Sequence, residues 1–330
     1  VAMAYHLAWY LEEVNRVMKG IRCPRLYELP PPPEGKTGWP WTEESSPLPD
    51  TMPDGKPWPL ISIVTPSYNQ GEFIEETIRS LLLQGYPNLE YIVMDGGSTD
   101  STVAIIQKYS PWITHWVSEK DEGQSNAVNK GFGCSNGEIL AWLNSDDTYE
   151  KNALNSVTNL MIQKPHIGVV YGNTHVVDED GKKLAEIRTV PFNSKAFLYE
   201  TVHIVAQSSV FWRAKLFFDV GQLNEELHYS MDRELLLRFM DNGAEFSFLR
   251  QPLGTYRCHQ SSKTFGTSNK SRDELLSLKP FAQITRRSDY AIWRFIYRLR
   301  QLAYLTFQGD LPYMVARAGA RFSPTAFDRL

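Results

Sequence analysis

From Leu60 onward, short and almost wholly apolar runs alternate with stretches in which apolar residues recur every three or four positions. The runs read as strands buried on both faces, and the stretches between them as helices packed on a sheet. "ISIVTPSYN" predicts a strand entering a loop and "GEFIEETIRSLLLQ" a helix; "EYIVMDGGSTD" predicts a second strand ending in a Gly-rich, Asp-bearing turn, with the next helix starting at residues 98–101. "THWVSEKDEG" and "QSNAVNKGFGC" repeat the strand-then-helix pattern, "EILAWLN" is a fourth strand, and "KNALNSVTNLMIQ" is the helix after it. Strands follow in "GVVYGN" and "HVVDEDGKKLAEIRTV", where "DEDGKK" predicts a hairpin turn. "IVAQSSVFWRAKLF" reads as strand into helix, and "MDRELLLRFMDNG" as a helix with Asp232 in its first turn and Gly243 at its stop. "EFSFLRQPLGTYRCHQSSKT" supplies late strands and a loop, and from about Ser271 the chain is helical. This order predicts an α/β fold with a mostly parallel sheet flanked by helices.

The flanks differ in kind. Residues 4–19 have helical apolar spacing, and eleven of the 20 prolines then fall between Pro24 and Pro59, which excludes regular helix or sheet. Trp39, Trp41 and Trp58 predict that this stretch wraps onto the main domain, since a solvated tether rarely carries large aromatics. Three parts result: an N-terminal helix and Pro/Trp-rich arm over 1–59, the α/β domain over 60–265 and a helical extension over 266–330.

Four strands end in polar residues: Ser67, Tyr68 and Asn69; Asp95; Glu119, Asp121 and Glu122; and Asn144, Asp146 and Asp147. A turn or N-cap role accounts for any one set. Together they converge on the edge where an open parallel sheet binds its ligand, outside the carboxyl ends of the strands. Carboxylates gathered there without a His/Cys cluster suit a hard cation, Mg²⁺ or Mn²⁺, shared with a phosphate-bearing ligand. A diphosphate leaving group stabilised by that metal is the chemistry such a site serves.

Composition narrows the partners. A formal net charge of −4 and a pI near 6.0 give no basic field for nucleic acid. Cys23, Cys134 and Cys258, odd in number and widely spaced, predict neither a disulfide framework nor a zinc site, and so a reducing, cytoplasmic setting. Residues 1–10 lack the basic start and apolar core of a secretory leader, and no apolar stretch reads as long enough to span a bilayer. The first residue is Val, which leaves open a piece of a longer protein.

"ISIVTPSYNQGEFIEETIRSLLLQGYPNLEYIVMDGGSTDST", "SEKDEGQSNAVNKGF" with "NGEILAWLNSDD", and "MDRELLLRF" resemble successive blocks of glycosyltransferase family 2, the inverting nucleotide-sugar enzymes with the Rossmann-like GT-A fold. The resemblance runs from about Leu60 to Thr264. It implies a metal-dependent, hexosyltransferase-like enzyme of bacterial polysaccharide or glycoconjugate synthesis. The donor would be a nucleoside-diphosphate sugar, a UDP-sugar ahead of the others, and the acceptor a glycan or lipid-linked glycan.

Carried over by position, Asp147 matches the last residue of the family's metal-binding Asp-x-Asp-like motif, and Asp146 its neighbour facing the donor ribose or the metal. Asn144 stands where many members have the first Asp. Asp95 matches the position that contacts the base, packed by Pro66, Ser67 and Tyr68, while Gly96 replaces a second Asp; Asp121 is a further donor-pocket position. Asp232 matches the general base, with Met231 in place of the usual Glu. His259 resembles the late His of the metal shell, with Ser262 and Lys263 near the diphosphate, although a lone His also serves as a packing residue. Gln207 reads either as lining the acceptor pocket or as a buried amide bonding backbone.

Arg287, Arg294, Arg298 and Arg300 recur among aromatics in "RRSDYAIWRFIYRLRQLAYLTFQG". The segment reads as an amphipathic helix packed on the domain with its arginines wet, or as one lying peripherally on the inner face of a membrane. Two rivals to the enzyme are an inert GT-A binding module, suggested by Asn144, and a sugar nucleotidyltransferase. The latter usually needs a Gly-rich basic loop after the first strand, and "TPSYNQGEF" has no basic residue.

Overall fold

The structure, a computed structural model, describes residues 20–199, 205–263 and 268–310. The helix expected at 4–19 lies outside the described residues. Eight strands form one sheet: β1 (Ile61–Ser67), β2 (Leu89–Asp95), β3 (His115–Ser118), β4 (Ile139–Trp142), β5 (Ile167–Val177), β6 (Lys183–Ile187), β7 (Val210–Arg213) and β8 (Glu245–Arg257). The order is β3-β2-β1-β4-β7-β5-β6, with β8 paired to β5. β1 to β4 are mutually parallel, β7 is antiparallel to both its neighbours, and β8 runs parallel to β5. The expected hairpin is present, with Val177 opposite Lys183 across the "DEDGKK" turn.

The doubly apolar runs have a direct structural reason. Ile61, Ile63, Tyr91, Val93, Ile139 and Ala141 point into one core, and Val64, Ile92, Met94, Leu140 and Trp142 into the other. The first core is closed by α1 (Ile74–Leu82), α2 (Thr102–Tyr109) and α4 (Ala153–Gln163) through Ile78, Ile106 and Val157. The second is closed by α3 (Gln124–Gly133) through Val128 and Phe132, and by helices introduced with the site.

The Pro-rich arm lies on the first core. Trp41 and Trp58 are buried, and the Trp39 indole N–H donates to the Tyr149 carbonyl at 2.9 Å. Prolines lack the N–H that would pair such a stretch regularly, so its buried carbonyls need outside donors. Arg79 of α1, itself wholly buried, supplies them to Pro30 (2.8 Å), Pro40 (3.2 Å) and Trp41 (2.8 Å). The arm thereby braces Tyr149, two residues beyond Asp147.

Candidate active site

The carboxyl ends of β1 to β4 form one edge. Asn69 turns the chain there with a left-handed φ of 51°, and its carbonyl-type side-chain oxygen accepts the Thr99 N–H at 2.9 Å. Tyr68 is exposed at this edge, whereas Ser67 Oγ is buried with no hydrogen-bond partner among the described residues. Pro66 lies within β1 opposite Met94 of β2. Asp95 is buried and heavily engaged: it accepts from the Ser98 hydroxyl (2.5 Å), the Ser98 N–H (2.8 Å), the Gly97 N–H (3.2 Å) and the Ser118 hydroxyl (2.6 Å). It therefore holds the strand-end turn closed. A Cβ on Gly96 would stand 2.8 Å from Asp121 Oδ2, so the missing second Asp leaves the room that the Asp121 carboxylate takes.

The neighbours Asp146 and Asp147 have opposite surroundings. Asp147 is buried: its Oδ1 accepts the Arg257 N–H at 2.9 Å and its Oδ2 the Asn144 amide at 3.3 Å. Burial, and then the charge of Asp146, push its carboxyl well above the ordinary carboxylate range. Asp146 instead turns its Oδ2 to His259 Nε2 at 3.0 Å. The imidazole is buried against the Phe73 ring, 4.4 Å between centroids. Sequence position gives the metal to Asp147, whereas the geometry sets His259 beside Asp146.

That pair fits a hard divalent ion. Adjacent ligands about 2.1 Å from an octahedral ion stand roughly 3 Å apart. Among the described residues no cluster of three or more acidic, His or Cys side chains could hold a metal alone. The pair thus suits an ion whose other positions are filled by phosphate oxygens and water.

Arg257 is the residue that sequence reading missed. Its guanidinium is almost wholly buried and donates from Nε to the Asp146 carbonyl (2.8 Å) and from one amino group to the Asp178 (3.2 Å) and Glu179 (3.0 Å) carbonyls. The other amino group meets Glu76 at 3.0 Å. One side chain from β8 therefore ties together the Asp146 turn, the β5–β6 turn and α1. Its only sequence signal is an Arg two positions before His259.

Asn144 also has a physical role. Its amide donates to Asp147 and to Gln207 Oε1 (3.1 Å), while its oxygen accepts from Gln124 (2.7 Å). An Asp there would set a third carboxylate against a crowded pair. Gln207 donates to the Trp142 carbonyl at 2.7 Å, matching the backbone-bonding reading. Lys263 donates to Gln124 at 3.0 Å, so side chains run from Lys263 through Gln124 to Asn144 and Asp147.

Asp232 comes from the other half of the chain and lies within electrostatic reach of Lys263, which bonds Gln124. Between β6 and β8 lie α5 (Ser194–Tyr199), β7, α6 (Ala214–Asp219) and α7 (Met231–Asp241), with Asp232 in the first turn of α7. The Asp232 carboxyl is half-buried and burial raises its pKa, against the attraction of Arg233 and Lys263. The loop before it is held by Glu274 of α8 (Ser268–Ser277), which accepts the N–H groups of His228 (2.7 Å), Tyr229 (2.7 Å) and Ser230 (2.6 Å).

The mostly parallel, two-core α/β sheet with carboxylates at its strand ends matches the GT-A fold of solved glycosyltransferases. Residues 62–218 match the sequence model of Glycosyl transferase family 2. It is 29% identical over 229 residues to an uncharacterized glycosyltransferase of Rickettsia felis, covering 66% of this chain and 38% of that protein. It is 37% identical over 109 residues to the putative teichuronic acid biosynthesis glycosyltransferase TuaG of Bacillus subtilis, 32% of this chain and 43% of that one. The chain spans between about a third and two-thirds of the length of the curated relatives first matched. In fold it resembles S. aureus TarS 1-349 in complex with UDP-GlcNAc, at TM-score 0.54 and 19% identity over 69% of this chain and 67% of that one. It also resembles the mannosyltransferase PcManGT of Pyrobaculum calidifontis in complex with GDP-Man and Mn²⁺, at TM-score 0.53 and 16% identity over 98% and 89%.

Proposed function

We propose that the chain is a metal-dependent inverting glycosyltransferase, moving a sugar from a nucleoside-diphosphate donor to an acceptor hydroxyl. The observation that carries this is the Asp146–His259 pair at the sheet edge; Asp232, within electrostatic reach of Lys263 and made more basic by burial, supplies the base. The donor base would lie over Tyr68 between Pro66, Ser67, Asp95 and Asp121, where the unpartnered Ser67 hydroxyl offers a hydrogen bond. A bound Mn²⁺ or Mg²⁺ would act as a Lewis acid on the departing diphosphate. Asp146 and His259 would hold it, with Asp147 shaping the turn from beneath and Lys263 adding positive charge.

Asp232 accepts the acceptor proton as the acceptor oxygen bonds to the anomeric carbon; the bond from that carbon to the diphosphate breaks on the opposite face, inverting the centre. Catalysis is assigned to residues 60–265, with the arm over 1–59 and the extension over 266–330 as supports. A UDP-sugar is the proposed donor and a bacterial polysaccharide or glycoconjugate the proposed acceptor, the latter supported by the likeness to TuaG, a putative teichuronic acid biosynthesis glycosyltransferase. A lipid-linked acceptor would bring the enzyme to the cytoplasmic face of a membrane, which the C-terminal helices would contact. Proton NMR of products from a panel of UDP- and GDP-sugars tests the reaction. A product of opposite anomeric configuration to the donor is expected, and retention would overturn the mechanism. Asn144 at the first-carboxylate position favours a second reading, an inert GT-A binding module, which any metal-dependent turnover of a donor sugar eliminates.

A further inference from the structure

The extension ends in α9 (Lys279–Thr285) and α10 (Tyr290–Phe307). One face of α10 is committed to the domain: Tyr297 and Leu305 are buried, and Tyr290 and Tyr297 pack on Tyr199 of α5 at 5.9 and 5.7 Å. Its far end is pinned by Arg250, which donates to the Gln308 side chain and carbonyl (2.8 Å each) and meets Asp310 at 3.2 Å; Arg188 also pairs with Asp310. With both ends fixed, the opposite face cannot rotate inward.

That outward face is apolar. Ile292, Phe295, Leu299, Leu302 and Phe307 are 62%, 61%, 48%, 44% and 89% exposed. At about 100° per residue, Ile292, Phe295, Leu299 and Leu302 form one stripe, with Arg298 and Arg300 on its opposite edges. Residues 286–308 contain five arginines and one aspartate, a net of four positive charges in a chain whose net charge is −4. An apolar stripe edged by arginines matches a surface that is apolar within and anionic at its rim. Like-charged arginines on both edges disfavour pairing with a second copy. Among the described residues no helix is long and apolar enough to cross a membrane, so the helix would lie in the interface plane.

We propose that α10 docks the protein on an anionic lipid bilayer, its apolar stripe in the acyl boundary and Arg298 and Arg300 at the headgroups. The contact rests on the membrane-side placement given above and names the residues that make it. An arginine near an anionic surface contributes about 1 kcal/mol, so two or more give roughly a tenfold or larger preference.

The test is flotation of the full chain with phosphatidylglycerol-containing and pure phosphatidylcholine vesicles, without donor or acceptor. Wild type should float at least about tenfold more with the anionic vesicles. Phe295→Asp with Leu299→Asp should abolish flotation with an unchanged melting temperature, since both positions are exposed, and Arg298→Gln with Arg300→Gln should remove the anionic preference. No flotation of wild type, or flotation unchanged in both variants, overturns the proposal. A wild-type dimer that the Asp variant splits, with no flotation, would assign the stripe to a second copy instead. Nucleotide binding measured separately keeps a failure here distinct from a failure of the donor-site reading.

Discussion

The two halves of the site hold their carboxylates by different means. On the β1–β4 side, Asp95 and Asp147 are buried and bonded from several directions, and the Arg257 guanidinium locks the turn between them and the hairpin. On the α7 side, Asp232 sits in a first helical turn whose approach is held mainly by side chains outside the helix: Glu274 accepts three backbone N–H groups, and the Ser230 hydroxyl and Asn129 amide donate to the Ser271 and Leu223 carbonyls. A donor half locked by a buried guanidinium and an acceptor half tethered through loop contacts suit a reaction in which the leaving diphosphate must be positioned before a variable acceptor arrives.

The sharpest separation of the halves comes from Asp232→Asn. Transfer should fall by about 10²–10⁴-fold with nucleotide affinity nearly unchanged, as read by initial rates and calorimetry. The sign of its pKa shift adds a second readout. A carboxyl whose pKa burial raises destabilises the fold in full above its folded pKa; the penalty shrinks as pH falls below that value and is gone below the unfolded-state pKa. The Asn variant should therefore melt higher than wild type at neutral pH while being inactive. A lower melting temperature would mean that the charge is structurally needed.

Arg257→Lys probes the donor half. Lysine keeps the charge but not the fork that serves three carbonyls and Glu76. Metal-dependent nucleotide binding should weaken by about 10–100-fold with little change in acceptor KM. Equal losses on both sides would show that the halves are not separately built.

Glu274→Gln should be the mildest, costing about 1–2 kcal/mol of stability in chemical denaturation and raising acceptor KM while sparing nucleotide affinity. Burial alone would raise the Glu274 pKa, but three backbone N–H donors lower it below the usual glutamate value. Its contribution is therefore present above the unfolded-state pKa and lost as pH falls through the lower folded one. The variant and wild type should converge in stability in that acidic window.

Much of this architecture was legible in the chain. The doubly apolar runs of β1, β2 and β4 reflect two cores, and the polar strand ends reflect one edge. What stayed hidden depends on contacts between distant residues. Arg257 reaches Asp146 across 111 positions, and Glu274 reaches the 228–230 loop across 44 to 46. Periodicity cannot tell which of two adjacent aspartates faces His259, because a turn decides it. In α10, helical spacing suggests apolar inside and arginine outside. The helix has more apolar residues than one face can bury, and Tyr297 and Leu305 take the inner positions, leaving Phe295 and Leu299 outside.

The most direct measurement is calorimetric titration of UDP, GDP, dTDP and CDP, with and without Mn²⁺, into wild type, Asp146→Ala and His259→Ala. One nucleotide should bind only with Mn²⁺, and both substitutions should remove that metal dependence alike. Metal-independent binding that both variants retain, or no binding of any nucleotide, would contradict a donor site built on Asp146 and His259.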